Sequence, residues 1–455
     1  MKKLKALLAS ITALSFLCAG CLPMVEQIQP IHSIFASAEE TVTSGTCGEN
    51  LTWNFEESTR ILTISGTGAM ENWEISPVPG WFDLRKDIKK IIIEDGVTAI
   101  GSCAFWECTA LESITISDSV TAIGWSAFYL CTALEFITIP DCVTAIGNSA
   151  FYDCTALESI TIPDSVTTIG RLAFRSTPWL KTKQNENPLV IINGILIDGS
   201  TCEQEEIMIP DSVTTIEDDA FCGCSALKSI TIPDSVTTIG RNAFWDCTAL
   251  ESIIIPDSVI AIGMGAFANC TALESITIPD SVATIGDSAF RYCTALKSIT
   301  IPVSVTTIGI CAFDSCTALE SITIPDSVTT IGEDAFSRCD SLTSITIENP
   351  ECKIDDSEST LSDTATIYGY DNSTAQAYAE KYDRNFVSLE SAPEILIGDA
   401  DKDGEFNILD VIVLQKWLLG AGNLPNWKAV DFNQDRMINI FDLVLAKKYY
   451  LENLS

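Results

Sequence analysis

The segment Asp234–Pro256, DSVTTIGRNAFWDCTALESIIIP, decides the fold, because close copies of it fill the middle of the chain. Successive copies start 23 residues apart, as from Asp211 to Asp234, except for one interval of 47 residues. A fixed period of this length is the signature of a stacked repeat architecture. The copies begin at Asp95, Asp118, Asp141, Asp164, Asp211, Asp234, Asp257, Asp280, Val303 and Asp326.

Within one copy, Ser252–Ile255 alternates apolar and polar residues and predicts a short strand, which Pro256 ends because proline has no N–H for a ladder. Val236–Ile239 predicts a second extended piece, and Asn242–Thr248 predicts a helical turn with Phe244 pointing inward. One copy cannot bury its own apolar face, whereas stacked copies cover one another. We therefore predict a solenoid with a narrow parallel sheet.

The repeat pattern IP-D-S-V-T-x-I-G-x-x-A-F-x-x-C-x-x-L-x-x-I-x-I-P resembles the BspA-like bacterial surface leucine-rich repeats. The resemblance covers roughly Ser44 to Leu389, which is most of the mature chain. It implies a mixed α/β leucine-rich-repeat solenoid on an extracellular protein, with a role in binding or adhesion. We place this solenoid at residues 95–348.

Both ends of such a stack would expose apolar core, so capping segments are expected. Residues 39–94 form the predicted N-terminal cap, in which Leu51–Phe55 and Ile61–Ser65 have the alternation of a β-hairpin. Trp73 and Trp81 follow, and their alternative role is to stack on carbohydrate. Residues 349–387 form the predicted C-terminal cap, with one helix at Ala375–Tyr382, followed by a linker at 388–396.

Residues 164–210 form an irregular long coil. Two apolar runs flank Asn193-Gly194, which is a strong signal for a type I′ hairpin. We predict one repeat enlarged by this hairpin and closed by Glu205–Ile209. An irregular coil could hold a binding site, and simple drift of the spacing is the alternative.

The N-terminus has the pattern of a secretory signal peptide, with Lys2, Lys3 and Lys5 before an apolar run. Cleavage after Ala38 predicts a signal peptide at residues 1–38, and a lipoprotein cysteine at Cys21 is the alternative. No later run is long and apolar enough to span a membrane. We expect a secreted, extracellular protein associated with a cell-surface complex.

The formal charge of -36 predicts repulsion from nucleic acid and from anionic lipid. The only histidine, His32, precedes the predicted cleavage site. The mature chain would therefore lack Ser-His-Asp and Cys-His catalysis and histidine-bound zinc. Carboxylate chemistry remains as the main enzymatic alternative.

Nine of the 16 cysteines in the predicted mature chain occupy one repeat position, so they follow the repeat rather than a disulfide or zinc pattern. We predict that these nine are free, buried thiols that pack like small apolar side chains. They are Cys108, Cys131, Cys154, Cys224, Cys247, Cys270, Cys293, Cys316 and Cys339.

Residues 397–455 contain two twelve-residue loops with the oxygen-rich spacing that calcium prefers. Side chains at loop positions 1, 3, 5 and 12 and the carbonyl at position 7 would bind each ion, and position 9 would act through water. The first loop supplies Asp399, Asp401, Asp403, Glu405, Asn407 and Asp410. The second supplies Asp431, Asn433, Asp435, Met437, Asn439 and Asp442. Each loop runs into a predicted helix, at 410–419 and at 442–451.

This duplicated loop–helix unit resembles a type I dockerin, a small all-α module that binds two Ca²⁺ ions. The resemblance implies docking to a cohesin module of a scaffoldin in a cellulosome. By resemblance, the contact residues would be Ile408, Leu409, Gln415 and Lys416 on one face and Ile440, Phe441, Lys447 and Lys448 on the other. Arg436 replaces the glycine of the first loop, so we expect weaker calcium binding at the second site.

The outward residues of the main strand are almost uniformly Ser and Thr, as in Ser275 and Thr277, which suits either a plain exposed strand or a ribbon for a carbohydrate or protein ligand. The favoured function is a non-catalytic binding or structural subunit of a plant-polysaccharide-degrading complex. A glycoside hydrolase or related enzyme and a surface adhesin are the alternatives. A glycosidase needs two carboxylates in a cleft, and no spare segment remains to build one.

Overall fold

The computed structural model describes residues 43–74, 76–390, 396–424, 426–433 and 438–452. The predicted signal peptide at residues 1–38 lies outside these residues. Within them, no helix combines the length and the apolar character needed to cross a membrane.

Each copy of the repeat forms one coil with two short strands, as expected. The main strands, which form the predicted narrow sheet, are Lys90–Ile93, Ser113–Ile116, Phe136–Thr138, Ser159–Thr161, Glu206–Met208, Ser229–Thr231, Ser252–Ile254, Ser275–Thr277, Ser298–Thr300, Ser321–Ile324 and Ser344–Ile347. The second strands are Val97–Ile100, Ala122–Ile123, Ala145–Ile146, Thr168–Ile169, Thr215–Ile216, Thr238–Ile239, Ala261–Ile262, Thr284–Ile285, Thr307–Ile308 and Thr330–Ile331.

Neighbouring coils pair in parallel at an offset of one repeat, so that equivalent residues lie side by side. Ser252 is opposite Ser275, and Ile253 is opposite Ile276. This register stacks the core phenylalanines, and the rings of Phe244 and Phe267 lie 5.3 Å apart with an interplanar angle of 1°. The solenoid and its parallel sheets are therefore confirmed.

The expected helical turn after the second strand is wrong, although Phe244 does point inward. Asn242 and Asp246 have positive φ angles of 53° and 62°, which an α-helix does not contain. Their N–H groups donate to carbonyl oxygens of the next coil, at 2.9 Å to Met264 and 2.9 Å to Ala268. We call the two residues after the repeat glycine and the two after the core phenylalanine of each coil the turn edge.

The nine repeat cysteines are free and buried, which confirms the sequence prediction. From Cys131 onward, each of these thiols donates a hydrogen bond to a carbonyl oxygen of the preceding coil. Cys270 Sγ, for example, donates to the Phe244 oxygen at 3.2 Å. Burial raises the pKa of the Cys270 thiol to about 12. The sulfur atoms thus form a ladder of weak hydrogen bonds along the core.

The repeat glycine is required by the close approach of successive coils. A Cβ atom on Gly240 would lie 2.6 Å from the backbone nitrogen of Asp218 in the preceding coil. Glu217 occupies this position in the first regular coil after the long interval. The coil before Glu217 is irregular, which explains how a side chain is accommodated there.

The N-terminal cap contains the predicted hairpin and one additional strand. Asn50–Glu56 and Ile61–Ala69 pair antiparallel, Ser44–Gly48 pairs with the former, and Ile61–Ala69 also pairs in parallel with Lys90–Ile93. Trp81 and Trp73 are buried beneath these strands. Because neither ring is exposed, the alternative carbohydrate-stacking role of these two tryptophans is wrong.

The irregular coil contains the predicted hairpin, formed by Val190–Ile192 and Ile195–Asp198. Its turn residues, Asn193 and Gly194, have φ angles of 50° and 80°, as a type I′ turn requires. Sequence reasoning missed the preceding helix, α1, at Pro178–Glu186. The coil divides the hydrophobic core into two clusters, one on each side of it. We call residues 91–170 the first stack and residues 211–348 the second stack.

The C-terminal cap contains the predicted helix, α2, at Thr374–Lys381. Sequence reasoning missed its strands, which extend the two sheets at Lys353–Ile354, Thr366–Gly369 and Phe386–Ser388. Tyr378 is buried, and its hydroxyl donates to the Ser357 carbonyl at 2.9 Å. The last coil is thereby covered.

Candidate metal centre and docking face

The tail is built on two helices that follow the acidic loops. Helix α3 spans Ile408–Leu418, a short helix α4 spans Trp427–Val430, and α5 spans Ile440–Glu452. Val411 and Leu414 of α3 share a small core with Leu443 and Ala446 of α5. The two loop–helix units therefore pack into one module.

Three carboxylates of the first loop converge. Oxygen atoms of Asp399, Asp401 and Asp403 all lie within 4.8 Å of one another. Asp399 is buried, Asp401 is half-buried and Asp403 is exposed. Like charges this close repel unless a cation lies between them, and hard oxygen donors are the ligands that calcium takes. The donor set therefore fits a calcium ion.

The backbone of the first loop is folded around these carboxylates. The Asp403 and Gly404 amides donate to the two oxygens of Asp399, each at 3.1 Å. Gly404 has a φ of 88°, a left-handed conformation that glycine adopts at little cost. The sharp turn expected at loop position 6 is thus present in the first loop.

Asp410 joins the loop to helix α3. Its side chain is 1% exposed, and it accepts backbone hydrogen bonds from Ala400 at 2.8 Å and from Asn407 at 2.7 Å. The Asn407 side chain accepts from the Leu409 amide at 2.8 Å and also from the Asp410 amide. The latter bond and the bond from the Asn407 N–H to the Asp410 side chain form a capping box. Sequence reasoning proposed Asn407 as a water-mediated ligand and missed this helix-capping role, which Asn followed three residues later by Asp could have indicated.

Glu405, whose carbonyl is a proposed ligand, is joined to the carboxylate cluster through its amide. The Glu405 N–H donates to the Asp403 side chain at 2.8 Å.

The described part of the second loop repeats this arrangement 32 residues later. Asp442 is buried and accepts from the Phe432 amide at 3.1 Å and the Asn439 amide at 2.9 Å. The Asn439 side chain accepts from the Phe441 amide at 2.8 Å. Asp431 and Asn433 lie at the start of the loop, half-buried and exposed respectively. Asp435, Arg436 and Met437 lie outside the described residues.

Two residues at loop position 8 pack toward the module core. Phe406 and Ile438 are both partly buried against it. The Phe406 ring lies 6.4 Å from the ring of Phe432 and 6.0 Å from that of Tyr450. One loop therefore contacts the loop and the helix of the other unit.

The proposed contact residues of both helices are exposed. Leu409 is 55% exposed and Phe441 is 68% exposed, although both are large and apolar. Ile408 and Ile440 beside them are exposed too, as are Gln415, Lys416, Lys447 and Lys448 further along the helices. Sequence reasoning missed Ile412 and Val444, which are exposed on the same faces one turn later. The i, i+4 spacing of Ile408 and Ile412 could have indicated them.

One carboxylate of the solenoid has a strongly altered pKa. Burial raises the pKa of Glu217 to about 7 at the junction between the irregular coil and the second stack. The adjacent cleft is lined by Arg175, Asp198, Asp218 and Asp219 and has room for about one water molecule, 20 Å³. A cleft of that size does not accommodate a sugar ring.

Comparison with known protein families identifies both parts of the chain. The family described as BspA type leucine-rich repeat region matches six copies over residues 80–195, 199–297 and 261–367. The dockerin type I domain matches residues 397–451. No curated protein matches the chain.

Several solved structures are similar to this chain. A leucine-rich repeat protein from Eubacterium ventriosum is 29% identical, with 66% of this chain and 90% of that chain covered and a TM-score of 0.43. A leucine-rich cell surface protein from Faecalibacterium prausnitzii is 27% identical, with 70% and 96% covered and a TM-score of 0.35. A leucine-rich repeat protein from Bacteroides ovatus is 25% identical, with 75% and 99% covered and a TM-score of 0.35.

Proposed function

Since this chain belongs to the BspA-type leucine-rich repeat proteins and ends in a dockerin type I domain, we propose that it is a secreted, non-catalytic binding or structural subunit. Calcium-dependent docking to a cohesin module of a scaffoldin moors it in a cellulosome-type complex that degrades plant polysaccharide. The main support for the proposal is the pair of acidic loops, each of which is followed directly by a helix that begins with two exposed apolar residues. These are Ile408 and Leu409 in the first helix and Ile440 and Phe441 in the second.

Calcium would be held at the first site by Asp399, Asp401, Asp403 and Asp410, with the carbonyl of Glu405 and with Asn407 through water. At the second site the ligands would be Asp431, Asn433, Asp435, Asp442 and the carbonyl of Met437, with Asn439 through water. The ion supplies positive charge that removes the repulsion among the carboxylates. Asp410 and Asp442 fix the start of each helix through the hydrogen bonds that they accept from backbone amides. The orientation of the docking face thereby depends on the loops.

The docking face consists of Ile408, Leu409, Gln415 and Lys416 on α3 and Ile440, Phe441, Lys447 and Lys448 on α5. Large exposed apolar side chains are typical of the centre of an interface, and the polar residues that follow suit its rim. We propose that the cohesin partner presents an apolar surface to Leu409 and Phe441. A cohesin built to hydrogen-bond small hydroxyl side chains would leave its polar groups unpaired against them.

The docking face is tested by binding the full-length protein, in calcium, to an immobilised panel of cohesins. The double variant Leu409→Asp, Phe441→Asp buries two charges in the interface and should lose binding by about a hundredfold or more. Ile254→Asp, at an apolar position on the solenoid that is even more exposed, is the control and should leave binding unchanged. Equal binding by the double variant and the wild type would refute the proposed face.

The proposed absence of catalysis is tested separately by release of soluble sugars from plant polysaccharides. The acidic residues of the solenoid lie mostly in repeated, exposed positions such as Glu251 and Glu274 rather than in a deep cleft. We expect no release above background from the full-length protein. Turnover that a single Asp or Glu substitution abolishes would establish the glycoside hydrolase alternative instead.

A further inference from the structure

The turn edge is the part of the solenoid whose exposed side chains differ most from coil to coil. The outward positions of the main strands keep Ser and Thr, with few exceptions such as Phe136. The repeat does not fix the residue type at the turn edge, so differences there set the chemical character of each region of the surface. In the first stack, the residues after the repeat glycine and after the core phenylalanine are Ser102-Cys103 and Trp106-Glu107, Trp125-Ser126 and Tyr129-Leu130, and Asn148-Ser149 and Tyr152-Asp153.

The turn edge is also rigid. In the first stack, the backbone N–H of Ser126 donates to the carbonyl oxygen of Asn148 at 2.8 Å. The N–H of Leu130 donates to the carbonyl oxygen of Tyr152 at 2.9 Å. Phe128 between them makes the same kind of bond to Ala150 at 2.8 Å. The backbone of such a template is already ordered before binding, so little backbone conformational entropy is lost when a partner docks.

Large aromatic side chains are concentrated at the turn edge of the first stack. Trp125 is 44% exposed, and Trp106, Tyr129 and Tyr152 are half-buried. We call these four residues the aromatic edge. The Tyr129 and Tyr152 rings are stacked with centroids 5.2 Å apart and an interplanar angle of 13°. Each ring covers one face of the other, which reduces the flat area on which a sugar ring could stack.

The first stack has an unusually one-sided charge. Residues 91–170 contain no Lys and no Arg, whereas the second stack contains two Lys and three Arg. Two carboxylates of the first stack, Glu107 and Asp153, lie near Tyr129, whose pKa is raised by burial and then by these charges and Tyr152. In the described part of the chain, Asp153 has no ion pair. The acidic residues between 91 and 170 are Glu94, Asp95, Glu107, Glu112, Asp118, Glu135, Asp141, Asp153, Glu158 and Asp164.

The chain itself shows how this kind of surface receives a cation. The Arg85 guanidinium lies 3.7 Å from the centre of the Phe82 ring and pairs with Glu107 of the next coil at 3.3 Å. In the second stack, Arg291 lies over the Tyr292 ring at 4.8 Å and pairs with Asp314 of the next coil at 2.8 Å. In both places, an aromatic ring and a carboxylate from successive coils together hold one guanidinium.

We propose that the aromatic edge is a docking surface for a basic polypeptide. Arginine and lysine side chains of the partner lie against Trp125 and the tyrosines, and they pair with Asp153 and its neighbours. Aromatic side chains surrounded by one sign of charge give both contact area and electrostatic attraction for a partner of the opposite sign. This inference is independent of cohesin docking, because it uses the solenoid and not the tail.

The probe for this surface is a fluorescein-labelled peptide of alternating arginine and alanine, titrated with the full-length protein at near-physiological ionic strength. Trp125→Ala and Asp153→Asn should each weaken binding by about tenfold. Trp245→Ala and Asp246→Asn are the matched controls on the turn edge of the second stack, where Trp245 is 43% exposed. They should change the affinity by less than about twofold. Trp125→Phe keeps an aromatic ring and should retain binding.

Three results would overturn the proposal. Equal losses in the test and control pairs would mean that the peptide responds only to the overall negative charge. An unchanged affinity in Trp125→Ala would show that the aromatic edge is not used. Loss of retention on insoluble cellulose in Trp125→Ala, with peptide binding unchanged, would identify a polysaccharide as the occupant. Unchanged circular dichroism of the surface variants is the folding control.

Discussion

The thiol of Cys270 donates a hydrogen bond to the main-chain carbonyl oxygen of Phe244, 26 residues earlier, at 3.2 Å. This contact joins two successive coils inside the hydrophobic core. The Phe244 oxygen also accepts from the Cys247 amide at 3.3 Å, so it would not be left without a donor if the thiol were removed. The cysteine ladder therefore contributes mainly through packing.

Cys270→Ala should lower the free energy of unfolding by about 1–2 kcal/mol, because it leaves a small cavity in a close-packed stack. Urea denaturation in the presence of a reducing agent measures the change. Cys142→Ala is the control, since Cys142 is exposed and its removal should cost no more than about 0.5 kcal/mol. A larger loss in the control than in Cys270→Ala would contradict the buried ladder.

Glu217→Gln should stabilise the protein at pH 8 and have little effect at pH 5. Folding raises the pKa of Glu217 from its ordinary value of 4.5 to about 7, so the folded state favours the protonated acid. The free energy of unfolding of the wild type therefore falls as the pH rises from 4.5 to about 7, whereas that of the glutamine variant does not. We expect a gain of about 1–2 kcal/mol at pH 8, allowing for partial solvent screening.

Thermal unfolding of the wild type and Glu217→Gln across that pH range measures this effect. Glu251→Gln, at an exposed position beside a main strand, is the matched control and should show no such pH dependence relative to wild type. A stability difference of Glu217→Gln that is the same at pH 5 and pH 8 would contradict the buried position of this carboxyl.

Asp314→Asn should destabilise the second stack by about 2 kcal/mol, since it removes a buried carboxylate that holds two partly exposed arginines. Asp314 accepts from Arg291 of the preceding coil at 2.8 Å and from Arg338 of the following coil at 2.6 Å. Burial opposes ionisation, but the hydrogen bonds from Arg338 and Arg291 outweigh it and lower the pKa of Asp314 below its ordinary 3.8. Its stabilising effect is therefore complete above that value and is lost as the pH falls below it.

Chemical denaturation at pH 7 and near pH 3 compares the wild type with Asp314→Asn. The difference in the free energy of unfolding between the two proteins should be smaller at the lower pH. Asp340→Asn, at an exposed position in the coil that supplies Arg338, is the control and should cost less than about 0.5 kcal/mol. A gap that widens on acidification would show that the ion pairs do not act as described.

The regular coils could be predicted from sequence because each position has one environment. Ile253 and Phe244 point inward in every register that stacks the repeats, so periodicity alone places them. Asp314 could not be paired with Arg291 and Arg338, because that contact depends on how side chains from three coils meet. Helix α1 was missed although its signal is present: Thr177 caps its first turn and Pro178 occupies the first helical position.

The candidate site was predictable to a similar extent. The spacing of Asp399, Asp401 and Asp403 indicates their convergence, because a twelve-residue loop that binds calcium has fixed ligand positions. The capping role of Asn407 was missed, since an Asx side chain can serve either a ligand or a helix terminus. The hydrogen bonds that Asp410 accepts from backbone amides depend on the folded loop, and no sequence pattern indicates them.

The two calcium sites should differ in affinity. Gly404 adopts a φ of 88° in the first loop, and Arg436 occupies the corresponding position of the second. A non-glycine residue in a left-handed conformation costs about 1 kcal/mol, or roughly fivefold in affinity. Calorimetric titration of the calcium-free protein should resolve a tighter and a weaker event, and Arg436→Gly should tighten the weaker one. Equal affinities in the wild type would contradict this expectation.

The most direct test of the account is the affinity of the full-length protein for a cohesin that it captures in calcium, measured again after addition of EDTA and after calcium is restored. We expect binding to fall by at least about a hundredfold with the chelator and to recover fully, because metal-dependent folding of the loops sets the docking helices. Unchanged binding in EDTA would contradict the proposal that calcium controls where this solenoid is moored.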